Sequence, residues 1–389
     1  MTLSSSLAPR PPAHGFASPV IDAAERTTVD FDLHGLARVR LVDAGAGEVA
    51  AVRRQLGPIE ADVAGDADIV VRFVDRLDTR GRTVLLGARE AAFTDDAFLV
   101  LRSRHKARAR VHVPMADVGR PGCQLVCERG LPAVPLLIPI LNLTVLGKGA
   151  LPLHAAAFVH GGTGVVCTGW SKGGKTETLL AFTQRGATYV GDEWVYLAAD
   201  GSAMYGVPEP LRLWDWHLAQ LPQVMHRLDA GSRRRLAALR AARRLGDAAP
   251  ARLRHVADRA RPLLESQLHV DVAPERLFGS TGPMTGPFDH VLLVQSAEVD
   301  HTSAEPIDPG EVAARMAASL DYERLPFLSW YAAFRYAFPE ASNPAVEEAG
   351  HRERRLLQQV LRGKPAHAVY HPYPVDIAGL YDAVASLLT

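Results

Sequence analysis

One stretch constrains this chain more than any other. Gly169-Trp170-Ser171-Lys172-Gly173-Gly174-Lys175-Thr176 fits G-x-x-x-x-G-K-[ST], the Walker A loop that wraps phosphate. The bare pattern recurs by chance, so its flanks decide. Gly164 to Thr168 reads as a short apolar strand entering the loop, and Lys175 to Arg185 as a helix closed by Gly186. Phosphate needs such a strand, loop and helix start. Consecutive backbone N–H groups curl around the anion, and the helix N-terminus adds roughly half a positive charge. Glycine at 169, 173 and 174 permits close backbone approach and positive φ. Lys175 then neutralises the β and γ oxygens of a nucleotide, with Glu177 following in the first helical turn, and the Thr176 hydroxyl can ligate Mg²⁺.

The neighbouring residues extend the site. Gly161-Gly162 is a two-residue hairpin signal, and extending its register places His154 across from Gly169. His154, Ala156, Phe158 and His160 then share one strand face; His154 is expected in the active site and His160 at the exposed turn. After the helix, Thr188-Tyr189-Val190 reads as a second core strand ending in Gly191-Asp192-Glu193. Carboxylates at such a strand end either hold Mg²⁺ and accept a proton, or are solvated turn acids. Arg212, in Val207-Pro208-Glu209-Pro210-Leu211-Arg212, is a candidate phosphate clamp, with a structural salt bridge as the alternative.

Taken together, Leu153-His154, the glycine loop, Lys175-Thr176-Glu177-Thr178, Gln184-Arg185-Gly186 and Asp192-Glu193 resemble bacterial HPr serine kinase/phosphorylase, and more closely its diverged kinase-like relatives. His154 precedes Lys175 by 21 residues and Asp192 follows it by 17, matching the family's spacing. The likeness is strong over about 45 residues and weaker over 130–215. It implies that His154 contacts the transferred phosphate, Lys175 binds ATP phosphates, and Thr176 ligates Mg²⁺. It further implies that Asp192 deprotonates the acceptor hydroxyl and that Glu193 assists with metal or proton. Trp170 and Lys172 depart from the small loop residues usual there, Glu193 replaces a second Asp, and the family's C-terminal Pro-Gly-Arg-Asn-type segment is missing. Those departures argue against the sugar-regulation enzyme itself; relatives with this lead-in occur in biosynthetic clusters, some phosphorylating peptides.

Composition sets the outer bounds. The chain has 389 residues, long enough for two domains, and 48% hydrophobic with 22% charged residues is a globular balance. Forty-three basic and 43 acidic side chains cancel, which excludes a general nucleic-acid binder though not a local basic patch. Three cysteines make no disulfide framework, and Cys123 and Cys127 read as core thiols. Residues 1–26 are expected to be a disordered tail without a targeting signal. The apolar stretch Leu131 to Leu146, broken by prolines, reads as buried core rather than a membrane span, so a cytoplasmic protein is expected. A β-rich module is expected over 27–130 and an α/β P-loop core of the HPr-kinase type over 131–389. An Arg-rich helical insertion is expected near 215–264, split at Gly246-Asp247 and Pro250. That insertion is either a solvated helical pair or a basic arm for an anionic ligand. Gln267 to Val272 and His290 to Val294 read as further core strands, and Pro306 to Arg355 as helices interrupted at Pro326, Pro339 and Pro344. The expected function is ATP-dependent transfer of the γ-phosphoryl group to a hydroxyl of a small-molecule, peptide or protein acceptor, and the family likeness hints at a homo-oligomer. The alternative is a nucleotide-binding switch or ATPase with no acceptor.

Overall fold

The computed structural model describes residues 27–62, 65–102, 108–248 and 250–388. The expected tail, 1–26, lies outside the described residues. The architecture is mixed α/β. Strands β1 (Thr27–Leu33), β2 (Ala37–Ala44), β3 (Ile69–Val74), β4 (Val84–Leu86), β5 (Ala91–Phe93), β6 (Phe98–Arg102), β7 (Arg108–His112) and β8 (Cys123–Glu128) form one sheet, ordered β1-β2-β3-β8-β7-β6-β5-β4. Helix α1 (Ala46–Leu56) crosses over between the parallel strands β2 and β3. All eight strands of this sheet lie within 27–130, where a β-rich module is expected. Cys123 and Cys127 are buried on β8, where burial pushes the Cys123 thiol up to about 12.

The core of that sheet does not stop at residue 131. It takes in α2 (Leu137–Gly147), the apolar stretch expected to be buried. The polar groups of α2 are satisfied: Asn142 accepts from the Tyr196 hydroxyl at 2.9 Å, and Thr144 donates to the Ile140 carbonyl at 2.8 Å. Phe327, Tyr331 and Phe334 from the far half of helix α9 (Pro309–Ala337) enter the same core. Each such side chain contributes about 1.5–3 kcal/mol by burial.

The next strands are β9 (Leu151–His154), β10 (Ala156–His160), β11 (Thr163–Thr168), β12 (Thr188–Gly191), β13 (Trp194–Leu197), β14 (Ala203–Gly206) and β15 (Leu211–Trp214). They are followed by β16 (His269–Val272), β17 (Thr285–Pro287), β18 (His290–Ser296), β19 (Ser303–Pro306) and β20 (Ala366–His371). A six-stranded sheet runs β12-β10-β11-β18-β20-β19, and a four-stranded one runs β17-β14-β13-β9. In the larger sheet β10 is antiparallel to both β11 and β12, while β11, β18 and β20 are mutually parallel. The C-terminal ends of β12, β11, β18 and β20 therefore meet at one edge, where α/β sheets gather ligand groups. Helix α3 (Lys175–Thr183) starts from that edge.

Between β15 and β16 lie α4 (Asp215–Gln220), α5 (Pro222–Arg227), α6 (Ala230–Asp247) and α7 (Ala251–Gln267); the chain closes with α8 (Pro274–Phe278), α10 (Pro344–Glu347), α11 (Ala349–Val360) and α12 (Ile377–Val384). The helical insertion is where the composition placed it. Among the described residues no helix is long and apolar enough to cross a membrane.

Four expectations need correction. The Gly161-Gly162 turn sets the β10–β11 register as expected, pairing His160 with Thr163 and Ala156 with Cys167. The register does not extend to His154, however: the chain changes sheet at Ala155, and His154 pairs with Trp194 on β13. His160 is half-buried rather than exposed, its ring edge-on to Phe182 at 5.2 Å. Strand β16 pairs only with β15, in a two-stranded ribbon, although Val270 and Val272 are buried. Pro326 does not interrupt α9, because Pro326 and Tyr322 face solvent and water can satisfy the carbonyl that proline leaves unpaired.

Candidate active site

The Gly169–Thr176 loop is built as an anion cradle, but not with the residues in the expected conformations. Gly169 (φ 148°) and Gly174 (φ 104°) take the positive φ values that glycine permits. The third left-handed residue is Lys172 (φ 64°), not Gly173. Gly173 is needed for space instead: a Cβ there would lie 2.9 Å from both the Trp170 and Val294 carbonyls. His371, at the end of β20, closes the loop from below with Nε2 at 2.8 Å from the Gly173 carbonyl. Lys175 is buried and folds back to donate to the Trp170 carbonyl at 3.0 Å, so the loop's own oxygens hold the ammonium where an anion's would replace them. Burial lowers the pKa of Lys175 below its ordinary value, against the pull of Glu193 and Asp192.

Asp192, at the C-terminal end of β12, is the counterpart of the loop. It is 3% exposed and accepts the Thr176 hydroxyl at 3.0 Å. Burial raises its carboxyl to about 7, and the neighbouring Glu193 adds to the effect; the Thr176 hydrogen bond and Lys175 pull the other way. A carboxyl with that proton affinity is suited to exchange a proton near neutrality. Glu193 follows at φ 67°, an uncommon conformation for a residue with a Cβ, and its carbonyl accepts the Ala155 amide. That turn aims both carboxylates at the loop edge.

His154 sits between two acids. Nε2 faces Glu193 at 3.1 Å and Nδ1 faces Glu323 at 2.8 Å, with the Trp194 ring stacked 5.8 Å away. Burial works against its charge, but the hydrogen bonds to Glu193 and Glu323 outweigh it and hold the imidazole above its usual pKa. Both nitrogens donating to carboxylates is the arrangement of an imidazolium. Glu323 comes from α9, which is anchored in one core through Met316 and Leu320 and in the other through Phe327 and Tyr331. The acid is thereby fixed on a helix that spans two cores. No local sequence signal marks Glu323.

No protein-family model and no curated protein matches this chain. Function therefore has to be read from the site itself.

The structure brings together Lys175, Thr176, Asp192, Glu193 and His154. It holds Arg212 elsewhere in part: the guanidinium makes a two-pronged pair with Asp271 at 2.8 and 3.1 Å, the salt-bridge alternative, while its charge still helps depress Glu193. Glu177 faces away from the loop toward His217 Nε2 at 2.8 Å. His217 Nδ1 accepts the Trp214 amide, so its proton is on Nε2 and is donated to Glu177. Trp170 is exposed at the loop's mouth, its ring 4.8 Å from that of Tyr322, and Ser171 and Lys172 border the same opening. Thr176 and Asp192 offer adjacent hard oxygens, which fits Mg²⁺ shared with phosphate oxygens and water. Among the described residues no three His, Cys, Asp or Glu side chains group into a metal cage, and a phosphate-borne metal does not need one.

Glu209 was legible only as part of a flagged segment. Its Oε1 is buried without a hydrogen-bond partner, and burial, with Glu193 and Asp192 adding to it, holds the carboxyl well above the usual carboxylate range. The folded state thus binds this proton more tightly than the unfolded chain. Stability is lost as pH climbs above the ordinary carboxylate range and is unaffected below it. Glu209→Gln should therefore raise the melting temperature at pH 8 relative to wild type, with the gain vanishing near pH 4. Thermal melts at both pH values check this, and an equal or negative shift at pH 8 contradicts it.

Proposed function

We propose that this protein is an ATP-dependent phosphotransferase that moves the γ-phosphoryl group to an acceptor hydroxyl. One observation carries the reading: a buried carboxyl held near pH 7 lies on the hydroxyl of Thr176, at the edge where the Lys175 loop opens. The resemblance to HPr serine kinase/phosphorylase supports it independently, through residues that the fold gathers from three separate segments.

In this reading the loop amides and Lys175 bind the triphosphate, with Lys175 exchanging its loop carbonyls for phosphate oxygens. Thr176 and Asp192 would hold Mg²⁺, which when bound neutralises charge on the phosphates. Asp192 accepts the hydroxyl proton as the acceptor oxygen bonds to the γ-phosphorus and the bond to ADP breaks. Glu193 and Glu323 keep His154 protonated, so its positive charge faces the equatorial oxygens of the moving group. Arg212 remains on Asp271 and tunes Glu193 from there.

Full-length protein with γ-labelled ATP and Mg²⁺, screened against Ser- and Thr-containing peptides and small alcohols, tests the proposal. Lys175→Met should weaken ATP binding by about 10–100-fold, the loss of charge-assisted hydrogen bonds. A wild-type protein that fails to bind ATP at millimolar concentration sinks the reading. Phosphate release with no labelled acceptor in any screen would favour an ATPase instead.

A further inference from the structure

The helical pair α6–α7 stands outside the site just described, and its chemistry is unlike the rest of the chain. Between Ala230 and Gln267 there are ten arginines and three acidic residues, in a protein whose net charge is zero. Arg240 and Arg243 are committed to Asp215, and Arg261 to Asp247 and Glu265. Six others, Arg233, Arg234, Arg244, Arg252, Arg254 and Arg259, are exposed, and among the described residues no carboxylate lies within salt-bridge distance of them. Arg233 and Arg244 lie eleven residues apart on α6 and Arg252 and Arg259 seven apart on α7, so each pair shares a helix face.

Among the described residues the pair buries little of its own apolar surface. Leu236 is the one buried residue of α6, and no described residue of α7 is buried. Leu245 is 74% exposed and Leu263 70% exposed. Helices that leave both charge and leucine unpartnered present a surface that a partner completes.

Its placement connects it to the loop. Asp215, which receives Arg240 and Arg243, opens α4; two residues on, His217 holds Glu177 at the start of α3. The arm springs from the β15–β16 ribbon, whose Arg212 already acts on Glu193. We infer that α6–α7 is a docking arm for an acidic peptide segment with interspersed apolar residues, carried by the phosphoryl acceptor. That the occupant is the acceptor rests on the phosphotransferase reading; the charge-matched docking does not. Each helix is about 25 Å long at 1.5 Å per residue, a span that about eight extended residues cover. Leu245 and Leu263 favour a peptide over nucleic acid, whose backbone offers charge but no apolar side chains to cover them.

The test uses a fluorescein-labelled octapeptide of Glu and Leu joined to a Ser-containing tail, and the same peptide with Gln for Glu. Full-length wild type should bind the Glu peptide at least about tenfold tighter than the Gln peptide, with affinity falling as salt rises. The variant Arg233→Glu/Arg244→Glu/Arg259→Glu should lose that preference while keeping its circular dichroism and its ATP affinity. If the variant does not fold, the salt dependence and the Glu-over-Gln preference of wild type decide alone. Equal binding of both peptides, or tighter binding of a labelled DNA duplex, overturns the inference. The peptide assay needs no nucleotide, so Glu-peptide binding that survives Lys175→Met upholds docking even if phosphoryl transfer is never observed.

Discussion

Asp192→Asn is expected to stop phosphoryl transfer and stabilise the fold at the same time. The Asp192 carboxyl is 3% exposed and pushed to about 7, first by burial and then by Glu193. A group whose proton affinity rises on folding costs nothing below its unfolded pKa, near 4. Its cost grows from about pH 4 and is complete above about pH 7. Three pKa units correspond to a ceiling of about 4 kcal/mol. Asparagine carries no charge to bury and can still accept the Thr176 hydroxyl, so the variant avoids that cost. In protein free of nucleotide and Mg²⁺, its melting temperature should exceed wild type's by several degrees at pH 8 and match it near pH 4. Transfer to the acceptor should fall by about 10²–10⁴, the usual contribution of a positioned base, while ATP still binds. A variant less stable than wild type at pH 8, or one that still transfers phosphate, removes Asp192 from the role of strained base.

The same residue shows what the sequence could and could not reveal. Asp192 was legible because its signal is local: a short apolar strand ends in two acids, soon after a glycine loop and one helix. The β10–β11 register was legible for a similar reason, since Gly161 (φ 58°) and Gly162 (φ 89°) fix a two-residue turn. His154 was singled out, but the extended register misplaced it. Extending a hairpin assumes that a strand stays in one sheet, and at Ala155 the amide leaves for the Glu193 carbonyl. No residue type announces such a switch. Glu323 lies 169 residues from His154 in sequence, and Glu209 and His371 come to the site from other segments rather than through any spacing. Arg212 looked like a clamp because its partner Asp271 lies 59 residues on, beyond the helical arm. Local chemistry could be read directly; convergence depended on tertiary pairing, which periodicity does not encode.

Gly174→Ala should disable the phosphate loop with a single added methyl. Gly174 has φ 104°, where an alanine costs about 1–2 kcal/mol. Its new Cβ would also lie 2.3 Å from His371 Nε2 and 3.0 Å from Val294 Cγ1. The imidazole cannot easily retreat, because its Nε2 lies 2.8 Å from the Gly173 carbonyl, the contact that closes the loop. Overpacking of this kind costs about 1–3 kcal/mol more, and the loop amides lose their aim at the anion. ATP affinity should drop by at least about a hundredfold, since misdirected backbone donors forfeit several charge-assisted hydrogen bonds. His371→Ala alone should also destabilise, by leaving the buried Gly173 carbonyl unpaired at a cost of about 1–3 kcal/mol. The double variant decides between strain and collision. If the methyl and the imidazole collide, removing the ring relieves part of the damage, and the pair costs less stability than the two single changes added together. Strictly additive losses in denaturant unfolding would mean that backbone strain alone requires glycine at this position.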